Sequence, residues 1–254
     1  MILIKFDKWG RMGNRMFQYA FGHILSKQKD VEIFSTGIKN FNIKDNSKKY
    51  KPSNSFIYTR GFGDNYVDYD LLLKTTNDIV VDSYVQKSKY YKDCKQLLQN
   101  VFNITTKTIN KNKLVLHVRE TDYTQLNCFL GYETYKQIIK ESGFSDVIIV
   151  TDNSKCETVQ KLLSDGCVLN SEGIVSAFST DNDDRAMIDF YTLLNSENIA
   201  LSQSSFSWWA AFLGNHKKVY YPFRLDDKGM WKCNPGRDDV DLFYESDYNI
   251  QIIL

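Results

Sequence analysis

The sequence predicts an α/β fold in two halves, each built on a parallel sheet, and three observations carry that prediction. From Leu114 onward, short apolar runs alternate with segments of helical periodicity, the pattern of strands joined by crossover helices. Residues 1–34 repeat the strand, turn, helix, strand order on a smaller scale. Between the halves, Thr105 to Lys113 is polar, rich in Lys and Asn and free of any packing period, which marks a linker. The halves are accordingly residues 1–110 and 111–254.

Taken in order, Met1 to Phe6 is an apolar run that reads as a buried strand, and the two glycines within Trp9 to Asn14 signal a turn. Met16, Phe17, Ala20, Ile24 and Leu25 then fall at helical spacing, so Arg15 to Lys27 packs one face on a sheet. Val31 to Phe34 is the next strand. Gly37 to Asn65 shows no sustained period and reads as loops. Ile79 to Tyr84 is a strand, and Tyr90, Cys94, Leu97, Leu98 and Val101 form a helical stripe. The second half reads as strand Leu114 to Val118, helix Tyr132 to Lys140, strand Asp146 to Thr151, helix Lys155 to Leu163 and strand Cys167 to Leu169. Helix Asp183 to Leu194, strand Ile199 to Leu201, helix Phe206 to Leu213 and strand Val219 to Tyr221 complete it.

Composition excludes several functions. Lys plus Arg number 32 against 31 Asp plus Glu, so no global field holds nucleic acid or an acidic membrane, and any anion must be bound locally. No run reaches the roughly 20 apolar residues of a membrane span, and the amino terminus lacks a signal-peptide core; the expected location is the cytoplasm, with peripheral membrane association left open. Five scattered cysteines without a CxxC pair point to reduced thiols, and His23, His117 and His216 show no metal-binding spacing. No metal is expected.

In open parallel sheets, ligands bind beyond the carboxyl ends of strands, which directs attention to three loops. Gly10-Arg11-Met12-Gly13-Asn14-Arg15 follows the first strand: its glycines allow close backbone approach and Arg11 can donate to an oxyanion, although a plain tight turn also fits. In Leu116-His117-Val118-Arg119-Glu120-Thr121-Asp122-Tyr123 a hydrophobic strand ends in a burst of ionisable groups. Burying these is costly unless they pair with one another or with a ligand, and both an internal Arg119–Asp122 pair and a phosphate gripped by the Arg119 fork meet that condition. Ser202-Gln203-Ser204-Ser205-Phe206-Ser207-Trp208-Trp209 reads as a helix N-cap, and the same hydroxyls and free N–H groups also make an anion pocket.

Gly10-Arg11-Met12-Gly13-Asn14-Arg15-Met16-Phe17-Gln18-Tyr19-Ala20-Phe21 resembles the opening motif of the α-1,2-fucosyltransferase family. Asp82 to Tyr91 is similar to its GYFQSxKYF stretch, His117 to Tyr123 to its HVRRGDY motif, and Ser204 to Ala211 to its SSFSWWGAW segment. The resemblance implies a GT-B-like architecture of two Rossmann-like domains facing a cleft, with the acceptor on residues 1–110 and the donor on 111–254. It implies inverting transfer of L-fucose from GDP-β-L-fucose to a hydroxyl of an acceptor glycan, with no metal and no other cofactor. By that resemblance Arg119 would hold the diphosphate, His117 would lie near the base and Asp152 near the ribose or base. Ser204, Ser205 and Ser207 would receive the phosphates, and Arg11 and Asn14 would approach the donor. Asp122 or Glu120 would accept the acceptor's proton. Glu120 and Thr121 stand where the family has Arg and Gly, and Arg15 where it has Gln, which keeps two alternatives in view: another nucleotide sugar on the same scaffold, or a non-catalytic nucleotide- or glycan-binding protein.

Overall fold

The computed structural model describes residues 1–6, 8, 10–53, 55–62, 65–120, 129–170, 182–223, 242 and 250–253. The chain divides into two compact units, one of Met1–Ile104 with Asp239–Phe243, the other of Thr105–Asp238 with Tyr244–Leu254. Each is an α/β unit on an all-parallel sheet.

In the first unit, β1 (Ile2–Ile4) leads to α1 (Met12–Lys29), β2 (Ile33–Phe34), β3 (Phe56–Tyr58), α2 (Tyr69–Lys74), β4 (Asp78–Val81) and α3 (Lys95–Val101). The sheet order is β2-β1-β4-β3. Helix α1 forms because Met16, Phe17, Ala20, Phe21, Ile24 and Leu25 share one apolar face, and all six are buried. It stops at Asp30, whose left-handed backbone (φ 52°) turns its N–H onto the Ser26 carbonyl, with Lys27 and Lys29 complementing the carboxyl-end dipole. Gly22 lets this helix lie close to β1, since a Cβ there would collide with Ile4 Cδ1. The loop expected over Gly10 to Arg15 is shorter than predicted. Helix α1 already begins at Met12, and Gly13 and Asn14 belong to its first turn.

The second unit runs β5 (Ile109–Val118), α4 (Gly131–Ser142), β6 (Val147–Thr151), α5 (Glu157–Ser164), β7 (Val168–Leu169), α6 (Asn182–Asn195), β8 (Ser196–Ala200), α7 (Ser205–Leu213), β9 (Lys218–Phe223) and β10 (Ile250–Ile253). Its sheet order is β10-β9-β8-β5-β6-β7. Strand β5 is central: Leu114, Leu116 and Val118 are fully buried and pack with Tyr135 and Ile138 of α4, Ile149 of β6, and Val159 and Leu162 of α5. Each such side chain contributes roughly 1.5–3 kcal/mol by leaving water. On α7, Trp208 to Leu213 are buried in an unbroken run, which is why its sequence shows no polar face.

Two expectations need correction. The linker predicted over Thr105 to Lys113 is largely the start of β5, where the register against β8 shifts between Ile109 and Leu114. Asn110 (φ 49°) and Asn112 (φ 58°) take left-handed backbone there, a conformation Asn tolerates better than most residues, so a polar segment serves as a bulged strand end. The loops predicted over Gly37 to Asn65 contain β3, and α2 also went unpredicted.

Candidate functional site

The register of the second sheet brings three loops to one edge. Val118 of β5 lies beside Thr151 of β6, and Leu116 beside Ala200 of β8. The residues that follow these strands, Arg119-Glu120, Asp152-Asn153 and Leu201 to Ser204, are therefore neighbours. The chain order gives this edge further meaning. From β5 the chain moves outward through β6 to β7, then returns to the other side of β5 with β8 and continues outward to β9 and β10. The reversal falls between β5 and β8, and in open α/β sheets the crevice at such a switch point is where ligands bind.

Arg119 leaves the end of β5 with its side chain 13% exposed and pairs with the 27%-exposed Asp152 carboxylate, Nη1 to Oδ2 at 2.5 Å. One of the two sequence readings paired Arg119 with Asp122. Asp122 lies outside the described residues, and the partner seen is Asp152, delivered by the adjacent strand. The guanidinium is thereby oriented and partly screened from water, the setting in which a directed pair of N–H donors acts most strongly on an oxyanion.

His117 is buried at 3% exposure. Its Nδ1 lies 2.7 Å from Ser202 Oγ, its carbonyl accepts the Tyr135 hydroxyl at 3.0 Å, and its ring stacks on Phe206 with centroids 5.4 Å apart. Burial drives its pKa down to about 4, although the Asp152 carboxylate pulls the other way, so the imidazole is neutral near pH 7. The ring ties the end of β5 to the loop after β8.

Helix α7 begins at this edge. Ser204 is its N-cap, with Oγ accepting from the Phe206 N–H at 3.2 Å. Ser205 follows, half-buried, at the first helical position. Ser207, also predicted as a phosphate ligand, is fully buried and points inward, its hydroxyl donating to the carbonyls of Ser202 and Ser204 at 3.3 and 3.2 Å. It fastens the turn that presents the helix start.

Glu120 turns away from the edge. It is 6% exposed, it lies near the Cys156 thiol, and its Oε1 has no hydrogen-bond partner. Burial pushes that thiol up to about 11 against the opposing Val159 N–H, and the Glu120 charge adds to the rise. A group so enclosed does not reach an acceptor hydroxyl in this conformation, because a base must come within about 3 Å of the proton it removes.

Asp189 of α6 was not anticipated. It is 8% exposed and accepts from Asn170 Nδ2 at 3.1 Å. Burial raises its pKa to about 6; the Asn170 bond and Arg185 oppose the rise and Asp152 adds to it. Only its bond to Asn170, just beyond β7, singles it out, since in the sequence it is one carboxylate midway along a helix. Arg11 and Asn14 belong to the first unit: Arg11 is exposed just ahead of α1, and Asn14 Oδ1 accepts from Gln86 Nε2 at 2.8 Å. Among the described residues, no group of three or more His, Cys, Asp or Glu is placed to hold a metal ion, and no helix is long and apolar enough to cross a membrane.

The two parallel-sheet units define a GT-B-like α/β protein. Among solved structures, a variant of Arabidopsis thaliana FUT1 in complex with GDP matches with a TM-score of 0.51 and 10% identity over 90% of this chain and 71% of that one. The fucosyltransferase NodZ from Bradyrhizobium matches with a TM-score of 0.50 and 12% identity over 92% of this chain and 96% of that one. At such identities the likeness is one of fold. No protein-family model and no curated protein matches the sequence.

Proposed function

We propose that the protein is an inverting glycosyltransferase that moves L-fucose from GDP-β-L-fucose to a hydroxyl of an acceptor glycan, with the donor on the second unit and the acceptor on the first. The observation that carries this reading is the pairing, at the sheet's switch point, of an oriented Arg119 fork with the capped start of α7. Breaking the bond from the anomeric carbon to the diphosphate leaves negative charge on the departing nucleotide, and the reaction is fast when prearranged donors meet that charge. Arg119 supplies two directed bonds, Asp152 holds the fork in place, and the first N–H groups of α7 with the Ser205 hydroxyl meet the phosphates. His117 stays neutral and holds the loop after β8 to the end of β5. Of the two carboxylates the sequence offers as base, Glu120 faces the interior, which leaves the proton to Asp122. Support for the nucleotide comes from the GDP complex and the fucosyltransferase among proteins of similar fold.

The test is a donor panel with GDP-fucose, GDP-mannose, UDP-glucose and UDP-xylose, read as nucleotide release with and without EDTA. Release from GDP-fucose alone, unchanged by EDTA, is expected. Turnover of a UDP-sugar instead, or complete loss in EDTA restored by Mn²⁺, would overturn the donor or the metal-free mechanism respectively.

The two serines separate binding from capping. Ser204→Ala removes the cap and is expected to cost ~1 kcal/mol of stability. Ser205→Ala is expected to leave the melting temperature nearly unchanged while weakening GDP about tenfold, the effect of losing one hydrogen bond to a charged group. Equal GDP affinity in Ser205→Ala and the unmodified protein would reduce the segment to a helix cap.

A further inference from the structure

A cavity of about 460 Å³ lies in the first unit, and its size suits a small ligand. Parallel sheets are ordinarily covered on both faces. Here α1 covers one face, with Gly22 against Ile4. Leu3, Val80 and Tyr58 share a row of the register on the opposite face, and they line the cavity. The outer wall is the segment after β2, which contributes Ser47, Tyr50 and Pro52.

This wall is held in place before any ligand arrives. The Tyr50 hydroxyl donates to Asp78 Oδ2 at 2.9 Å, the Ser53 N–H donates to the same oxygen at 2.9 Å, and the Met1 amino group pairs with Oδ1 at 2.9 Å. Burial alone would raise the Asp78 pKa, but these donors outweigh it and hold the carboxyl at about 2. Its charge is fully engaged and is not offered to the cavity.

Two features identify the occupant. Phe56 and Tyr58 are 38% and 48% exposed, and their rings, 6.3 Å apart and tilted by 44°, form an angled aromatic ledge. Beside the ledge stand Thr36, Lys5 and Ser47, the last with its hydroxyl donating to Asp45 Oδ1 at 2.6 Å. An apolar surface rimmed by hydrogen-bonding groups suits a pyranose, which has a C–H face and a hydroxyl edge, whereas a wholly apolar ligand would strip water from the polar groups without replacing it. The second feature is charge. Residues 36–53 carry five lysines against the single Asp45 in a chain whose net charge is only +1. Lys48, Lys49 and Lys51 are exposed and alternate with the lining residues Ser47, Tyr50 and Pro52. Several like charges within a Debye length of about 8–10 Å act together on an anion.

We infer that this cavity is a subsite for an acidic saccharide, with a pyranose ring on the Tyr58 ledge and its anionic substituents facing the lysine-rich segment. The inference rests on the glycosyltransferase reading in taking that saccharide to be part of the acceptor, and it deepens that reading by naming the acceptor's chemical class.

Equilibrium binding to the full chain tests it, using trigalacturonate, neutral cellotriose of the same length, phosphatidylserine vesicles and GDP as separate probes. Expected is a preference of at least about tenfold for trigalacturonate over cellotriose at low salt, shrinking in 0.5 M NaCl. Tyr58→Ala should weaken both saccharides, and Lys48→Gln, Lys49→Gln and Lys51→Gln together should abolish the preference, with GDP affinity unchanged in both variants. Equal affinity for the two trisaccharides, no saccharide binding, indifference to either variant, or capture by vesicles without capture of trigalacturonate would overturn the proposal. Loss of GDP binding with saccharide binding intact would remove the fucosyl-transfer reading and leave the subsite standing.

Discussion

Arg119→Lys is expected to lower kcat/KM for transfer by ~10²–10³-fold, the typical effect of removing one prearranged donor from developing charge, while the protein remains folded. Lys keeps the charge and can still meet Asp152, but it offers no planar pair of donors to a diphosphate. Because the Arg119–Asp152 pair is partly exposed, solvent screening limits its share of stability, and the loss on substitution should be no more than ~1 kcal/mol. Melting curves and rate constants taken on one purified sample separate the roles. If Arg119 served only to anchor Asp152, the Lys variant would show near-normal turnover, and that result would remove the central residue of the mechanism.

The second large effect concerns Asp189 and His117, which respond to acid in opposite directions. His117 has its folded pKa lowered from 6.5 to about 4. Between these values the unfolded chain takes up a proton that the native state refuses, so stability is lost as pH falls from 6.5 toward 4. At about 1.4 kcal/mol per unit that loss approaches 3 kcal/mol. Asp189 has its folded pKa raised from 3.8 to about 6. Below 6 the native state holds a proton that the unfolded chain releases, so stability is gained over nearly the same interval and by a similar amount. The two terms offset each other, and the unmodified protein should show an almost level stability between pH 6.5 and 4. Asp189→Asn removes one of them: it is expected to raise stability at pH 7 by about 2–3 kcal/mol and to expose a steep acid loss from His117. Denaturant titrations at pH 7, 6, 5 and 4 check this. A steep profile in the unmodified protein that flattens in Asp189→Asn would contradict both assignments.

The central strands of the second unit were legible in the sequence because their burial on both faces leaves continuous apolar runs, as in Leu114 to Val118 and Val147 to Thr151. Short, half-exposed elements were not. Strand β3 is three residues long with Phe56 and Tyr58 exposed, and α2 is a six-residue helix whose main signal is the Asp68 cap accepting from the Leu71 N–H. Neither has the length from which a period can be read. The loops at the switch point were found from their ionisable and hydroxyl residues, but pairing within them was not, because Arg119 and Asp152 are neighbours only through strand register. Ser202 stood in the serine segment without a role until His117 Nδ1 was found beside it. Burial also divided residues that looked alike in sequence: Ser204 caps the helix while Ser207 faces inward, and Glu120 is enclosed.

The central place of β5 also bears on how the chain is made. It is the first strand of its sheet to be synthesised, yet Leu114 to Leu116 find their β8 partners, Asn198 to Ala200, only roughly 80 residues later. At about 5–20 residues per second the ribosome needs roughly 4–16 s to supply them. For that interval an apolar strand lacks one neighbour, a condition that favours pairing with other nascent chains. Yield of soluble protein should therefore depend on translation rate and on chaperone supply more than the stability of the finished fold would suggest.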